Sequence, residues 1–145
     1  MGANRIEQVP TWLLSRANAR AQAIRVEAFT AAGSSGYLSR LLASLADEGV
    51  ASQAELSRRT GIDPSDVVAS VKDLESRRFV TRQRDPQDAR RNVVTLTPAG
   101  RAELARLDAV VADIQERFLA PLSTAQRRHL QRILTKLTAE KDPSA

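Results

Sequence analysis

The hydrophobic period of the chain changes from 3.6 to 2 after Arg77-Arg78 and returns to 3.6 after Thr97-Pro98. Residues 79–84 alternate as a strand, residues 92–97 as its partner, and residues 85–91 form a turn-rich, charged tip. Val50-Ala51 is too short for more than one sheet pairing. Everything else reads as helix, so the expected fold is mostly α with one small β-wing.

Helical stripes and their punctuation divide the rest. Leu13, Ala17, Ala21, Ile24 and Ala28 recur three and four apart over residues 10–31, and Gly33-Ser34-Ser35-Gly36 breaks that pattern. Tyr37, Leu38, Leu41, Leu42 and Leu45 form the apolar face of a second helix, which Gly49 is expected to end as a left-handed cap. Ser52 and Glu55 are spaced as a reciprocal capping box opening a short helix that stops near Thr60-Gly61. Asp63-Pro64 starts the next helix, with Val67, Ser70, Val71 and Leu74 facing inward. Thr97-Pro98 caps a long helix whose Leu104, Leu107, Val111, Ile114 and Phe118 form a narrow seam of the coiled-coil kind. Pro121 breaks it. Ser123 and Gln126 make a second capping box before a last helix striped with Leu130, Ile133, Leu134 and Leu137, fraying from Lys141.

At 145 residues the chain is long enough for one domain with a real core. Aromatics are only 3%, so Leu, Val, Ile and Ala must build that core. The absence of cysteine removes disulfides, cysteine-ligated zinc and thiol switching. Residues 1–10 lack the apolar centre of a secretory signal, and no stretch approaches a membrane span, so the expected location is the cytoplasm, with no membrane partner. No Gly-rich phosphate loop, HExxH or GxSxG is present, and the single histidine, His129, lies on a polar helix face. The expectation is a protein without catalytic residues, metal or cofactor.

The net charge of +5 favours a polyanion partner, and its distribution points to one. Residues 77–91 hold six arginines against two acids, a local +4 on one projecting element. That element directly follows two short helices joined by about three residues, the unit that lays its second helix in a DNA major groove. On that second helix Ser65, Asp66, Val68, Ala69 and Lys72 lie away from the inward face, small and polar near the helix start, with Val68 suited to a thymine methyl. Arg77 and Arg84 flank the hairpin, and Arg90 and Arg91 at its tip suit a minor groove.

Residues 85–101, from Asp85-Pro86-Gln87-Asp88 through Leu96-Thr97-Pro98-Ala99-Gly100-Arg101, resemble the wing signature of MarR-family transcription regulators. Residues 54–62 are similar to that family's first helix-turn-helix half, and residues 71–77 to the end of its reader helix. The resemblance implies a homodimeric repressor at pseudo-palindromic double-stranded DNA operators, with a winged-helix lobe at 34–97 and dimerisation helices at 10–31 and 98–140 of a single domain. It implies that Asp88 braces the wing tip and Arg90 enters the minor groove. Leu13, Ala17, Val111, Leu130, Ile133, Leu134 and Leu137 would then face the partner. A small aromatic or anionic effector would sit near Trp12, Arg16, Arg20, Tyr37 and Arg40, although packing and surface roles compete for those residues. Two departures stand out: Ala69 where the family often has a basic residue, and Arg78 where it usually has glycine. The competing function is a winged helix used only for protein–protein assembly.

Overall fold

The computed structural model describes residues 4–139. After a short 3-10 turn at Arg5–Gln8 come α1 (Pro10–Ala31), α2 (Gly36–Glu48), α3 (Gln53–Thr60), α4 (Pro64–Ser76), β1 (Val80–Asp85), β2 (Asp88–Leu96), α5 (Pro98–Leu119) and α6 (Thr124–Ala139). The expected fraying from Lys141 lies outside the described residues.

Local chemistry sets most boundaries. Ser35, Ser52, Asp63 and Thr97 each accept a backbone N–H in the first turn of the helix that follows. The box at Ser123 closes in both directions: Gln126 N–H reaches Ser123 Oγ at 3.2 Å, and Ser123 N–H reaches Gln126 Oε1 at 2.9 Å. The box at Ser52 closes in one direction only, because the Glu55 carboxylate is turned toward arginines instead. Gly49 does end α2 at positive φ, but with ψ near −171° it is extended rather than a left-handed cap.

One core runs through the chain, built on Leu38, Leu41, Leu42 and Leu45 of α2. Phe29 of α1, Leu56 of α3, Val67, Val71 and Leu74 of α4, Val80 and Val94 of the hairpin, and Leu107 and Ile114 of α5 close around it. Each such side chain adds roughly 1.5–3 kcal/mol of burial. The seam expected on α5 therefore faces inward: Leu107 and Ile114 are buried, and Leu104 and Val111 pack against the same core. The period identified an apolar face correctly, but the chain's own α1 and α2 occupy much of it. α6 differs, having no buried residue.

The hairpin is longer and sharper than the sequence suggests. Regular pairing runs from Val80↔Leu96 to Arg84↔Asn92, and Asp85 then pairs with Asp88, leaving only Pro86-Gln87 at the turn. Ala89, Arg90 and Arg91 form an irregularity in β2 rather than the tip itself. A single bridge, Ala51↔Val94, pins the hairpin to the segment before α3. At its base, helix and strand touch backbone to backbone. A Cβ on Gly100 would collide with the Phe79 carbonyl oxygen and lie 2.7 Å from Leu96 Cδ1, so only glycine fits.

Candidate nucleic-acid interface

The turn between α3 and α4 is fixed from both sides. Gly61 adopts φ 71°, ψ 10°, the left-handed conformation that costs glycine least. Ile62 is buried behind it, and Ser57 Oγ donates to the Ile62 carbonyl at 2.6 Å. Asp63 then accepts both the N–H (3.0 Å) and the hydroxyl (2.6 Å) of Ser65, and these bonds hold its carboxyl below the usual range. α4 is thus anchored by Val67, Val71 and Leu74, while Ser65, Asp66, Val68, Ala69 and Lys72 face solvent.

The arginines around this face divide into two groups. Arg82 makes two 3.0 Å bonds to the Glu75 carboxylate, tying β1 to α4; the contact lowers the Glu75 pKa and raises that of Arg82. Arg77 is held by Asp73 at 2.7 Å and by the Gly33 carbonyl at 2.7 Å. Arg91 pairs with Glu55 and lies 3.8 Å from Asp85. Arg78, Arg84 and Arg90 have no ion pair among the described residues and are exposed. The sequence count of +4 is therefore corrected. Arg77, Arg82 and Arg91 are paired by Asp73, Glu75 and Glu55, carboxylates that lie outside the 77–91 window, with Asp85 beside Arg91. What projects is three separate positive charges rather than a uniformly basic arm.

The irregularity in β2 is braced from its own backbone. Asp85 accepts the Gln87 N–H at 2.9 Å and Asp88 accepts the Arg90 N–H at 3.0 Å. Asp88 thereby holds the backbone of Arg90 while the guanidinium stays unpaired. Arg90 shares an open cleft with Arg58, Arg82 and Arg91 between the hairpin and the start of α3. Glu55 was missed as a bracing residue because its spacing from Ser52 already suggested a cap. Arg58 carried no signal beyond its charge.

The five residues grouped as an effector site do not line one cavity within the chain. Tyr37 and Arg40 border a groove of about 350 Å³ with Arg25, Phe29 and Ser35, between α1 and the start of α2. Arg16 instead stacks over Trp12, 5.8 Å from the ring centroid. Arg20 is committed elsewhere: it donates to the carbonyls of Phe118 (2.7 Å) and Arg117 (3.1 Å), capping α5, and lies over the Phe118 ring. Trp12, Arg16 and Arg20 follow one another four apart along α1, whereas Tyr37 and Arg40 belong to the start of α2, so the five residues lie on two helices.

Of the expected partner-facing residues, Leu13, Ile133 and Leu137 are exposed, Leu137 at 60%. Leu130, Leu134 and Ala17 are partly covered, and Val111 turns inward as described. Among the described residues there is no group of three or more His, Cys, Asp or Glu placed to hold a metal, and no helix is long and apolar enough to cross a membrane.

The geometry has close relatives. A family model described as the MarR family matches residues 36–91, the span from α2 through Arg91. The transcriptional repressor NicR of Pseudomonas putida is 32% identical over 96 residues, 66% of this chain and 61% of its own. The curated relatives are matched over 52–64% of their lengths. Solved structures extend the likeness to more than nine-tenths of the chain. A "probable transcriptional regulator" of Pseudomonas aeruginosa is 33% identical, with 92% of this chain and 99% of that one covered at a TM-score of 0.82. BpsR of Bordetella bronchiseptica, whose DNA binding is regulated by 6-hydroxynicotinic acid, is 26% identical, with 97% and 100% covered at a TM-score of 0.83. With the family model lying on the helix–turn–helix and hairpin, and a relative 33% identical matched over 99% of its length, the chain belongs to the MarR family.

Proposed function

We propose that the protein is a sequence-specific DNA-binding transcription regulator, a homodimeric repressor acting in the cytoplasm at pseudo-palindromic operators. The observation that carries this reading is the exposed face of α4 standing beside a hairpin that offers Arg84 and Arg90 unpaired, with Arg78 unpaired in the turn that leads into it. A helix with its anchor residues buried and its small residues outward suits a major groove, and isolated arginines on a projecting hairpin suit phosphates and a minor groove. In this reading Lys72 and Arg84 contact phosphates, Arg90 enters the minor groove, and Arg77 and Arg91 act by holding α4 and the hairpin in place. Family membership supports a regulator rather than an enzyme.

The dimer reading rests on α6 and the start of α1. A helix with no buried residue that carries Leu130, Ile133, Leu134 and Leu137 on one stripe needs a partner surface. Leu13 and Leu14 at the start of α1 are each about half exposed as well. Residues 10–31 and 98–140 then serve assembly, and residues 34–97 serve DNA.

Release by a small anionic aromatic compound is supported by the regulation of BpsR by 6-hydroxynicotinic acid. Tyr37 with Arg40 supplies a ring and a cation beside the groove, and Trp12 with Arg16 supplies another such pair. Mapping of bound sites across the genome tests the central reading. Discrete sites with two-fold symmetry are expected, together with affinity that falls steeply with salt. Weak, salt-insensitive binding without discrete sites would replace the regulator with the protein–protein assembly module.

A further inference from the structure

The exposed face of α4 has an unusual balance of hydrogen-bonding groups. The Ser65 hydroxyl spends its single hydrogen on Asp63 at 2.6 Å, which leaves it only lone pairs to offer. The Ser76 hydroxyl donates to the Asp73 carbonyl at 2.6 Å. Asp66 sits in the first turn of the helix and has no hydrogen-bond or ion-pair partner among the described residues. Val68 is 50% exposed and Ala69 is exposed beside it. Lys72 is therefore the one uncommitted side-chain donor among the outward residues of this helix; Asp66 and Ser65 accept, and Val68 and Ala69 present methyl groups.

Resting on the DNA-binding reading above, we propose that α4 reads pyrimidines. Thymine methyl groups meet Val68 and Ala69, and a cytosine N4 amino group donates to Asp66, with the Ser65 oxygen as a second acceptor.

The chemistry of the major-groove edges supports this assignment. Guanine presents two acceptors, N7 and O6, which repel a carboxylate; adenine sets an acceptor beside its single donor. Cytosine offers an amino donor without a neighbouring acceptor of its own on that edge, and only thymine has a methyl group. The usual arginine or asparagine reading of purines has no counterpart among Ser65, Asp66, Val68 and Ala69. Lys72, one turn beyond Val68, is left for a phosphate or a single guanine.

The test begins with selection of bound duplexes from a random pool by the full chain. In the best site each thymine is then replaced by uracil, which removes only the 5-methyl group. At least one replacement per half-site should weaken binding about fourfold, the value of one buried methyl group. At the thymine that Val68 meets, that sensitivity should disappear in Val68→Ser, whose side chain is on the surface, so the fold is kept and circular dichroism verifies it. Asp66→Asn should shift the preferred base from cytosine toward adenine, which an amide reads bidentately. Selection of no discrete sequence would overturn the regulator reading itself. A discrete site indifferent to uracil, or equally sensitive in Val68→Ser, would overturn the thymine assignment alone. An unchanged base preference in Asp66→Asn would overturn the cytosine assignment.

Discussion

Arg90 and Arg91 are adjacent and identical in type, yet replacing each by alanine should affect DNA binding differently. Arg91 faces Glu55 and Asp85, and its side chain is 40% exposed. Discounted for that exposure, the pairing is worth about 1 kcal/mol, which keeps Arg91 paired roughly five times as often as free. Its charge is largely cancelled before DNA arrives and displaces few counterions. Arg90 has no such partner among the described residues, and the Asp88 carboxylate engages its backbone N–H. An unpaired arginine that enters the minor groove displaces condensed counterions much as a phosphate contact does, which steepens the dependence of log affinity on log salt by about 0.9, or roughly 1.8 for two hairpins of a dimer. Between about 50 and 200 mM salt, wild type should then lose roughly twelvefold more affinity than Arg90→Ala. Arg91→Ala should keep nearly the wild-type slope and lower affinity by a similar factor at every salt concentration, as expected for a lost brace. Fluorescence anisotropy titrations with a labelled duplex at several salt concentrations read both quantities. Equal changes of slope in the two variants would show that Arg91 leaves its carboxylates on binding, and the division into bracing and contacting arginines would fail.

Further outcomes follow from the same structure. Arg78 holds φ 63°, a conformation costly for a side chain with a Cβ. Arg78→Gly should therefore raise stability by about 0.5–1 kcal/mol after glycine's extra unfolded entropy, roughly a 2 °C rise in Tm by calorimetry; a fall in Tm would mean that the Arg78 side chain contributes more than its backbone strain costs. Leu134→Glu with Leu137→Glu should give folded monomers in sedimentation velocity, and a surviving dimer would move the interface off α6. The Glu75 carboxyl is held below its usual range by Arg82, so the pair stabilises the fold above the ordinary carboxylate pKa and loses that contribution as pH falls through the lowered value. Urea titrations from about pH 5 to pH 3 should show wild type losing more stability than Glu75→Gln, and parallel losses would refute the linkage.

Much of this architecture was legible without coordinates because its determinants are local. Caps at Ser52, Asp63, Thr97 and Ser123 act within three residues, and the helix stop near Thr60-Gly61 is equally local. The change of period marked the hairpin because side-chain direction is set by the strand itself. The MarR likeness was readable from the run between Asp85 and Arg101, since a wing is a contiguous segment.

Tertiary structure decided what each face and charge meets. An apolar stripe specifies a side of a helix but not its occupant: α5 turned much of its stripe into its own core, while α6 was left uncovered. Charge behaved likewise. Glu55 sits at a capping-box spacing yet bonds to Arg91, thirty-six positions along the chain, and Glu75 takes Arg82. A local count records only the charges inside its window, whereas pairing depends on distance in space. Whether an arginine contacts DNA or holds the hairpin that does is therefore settled by packing.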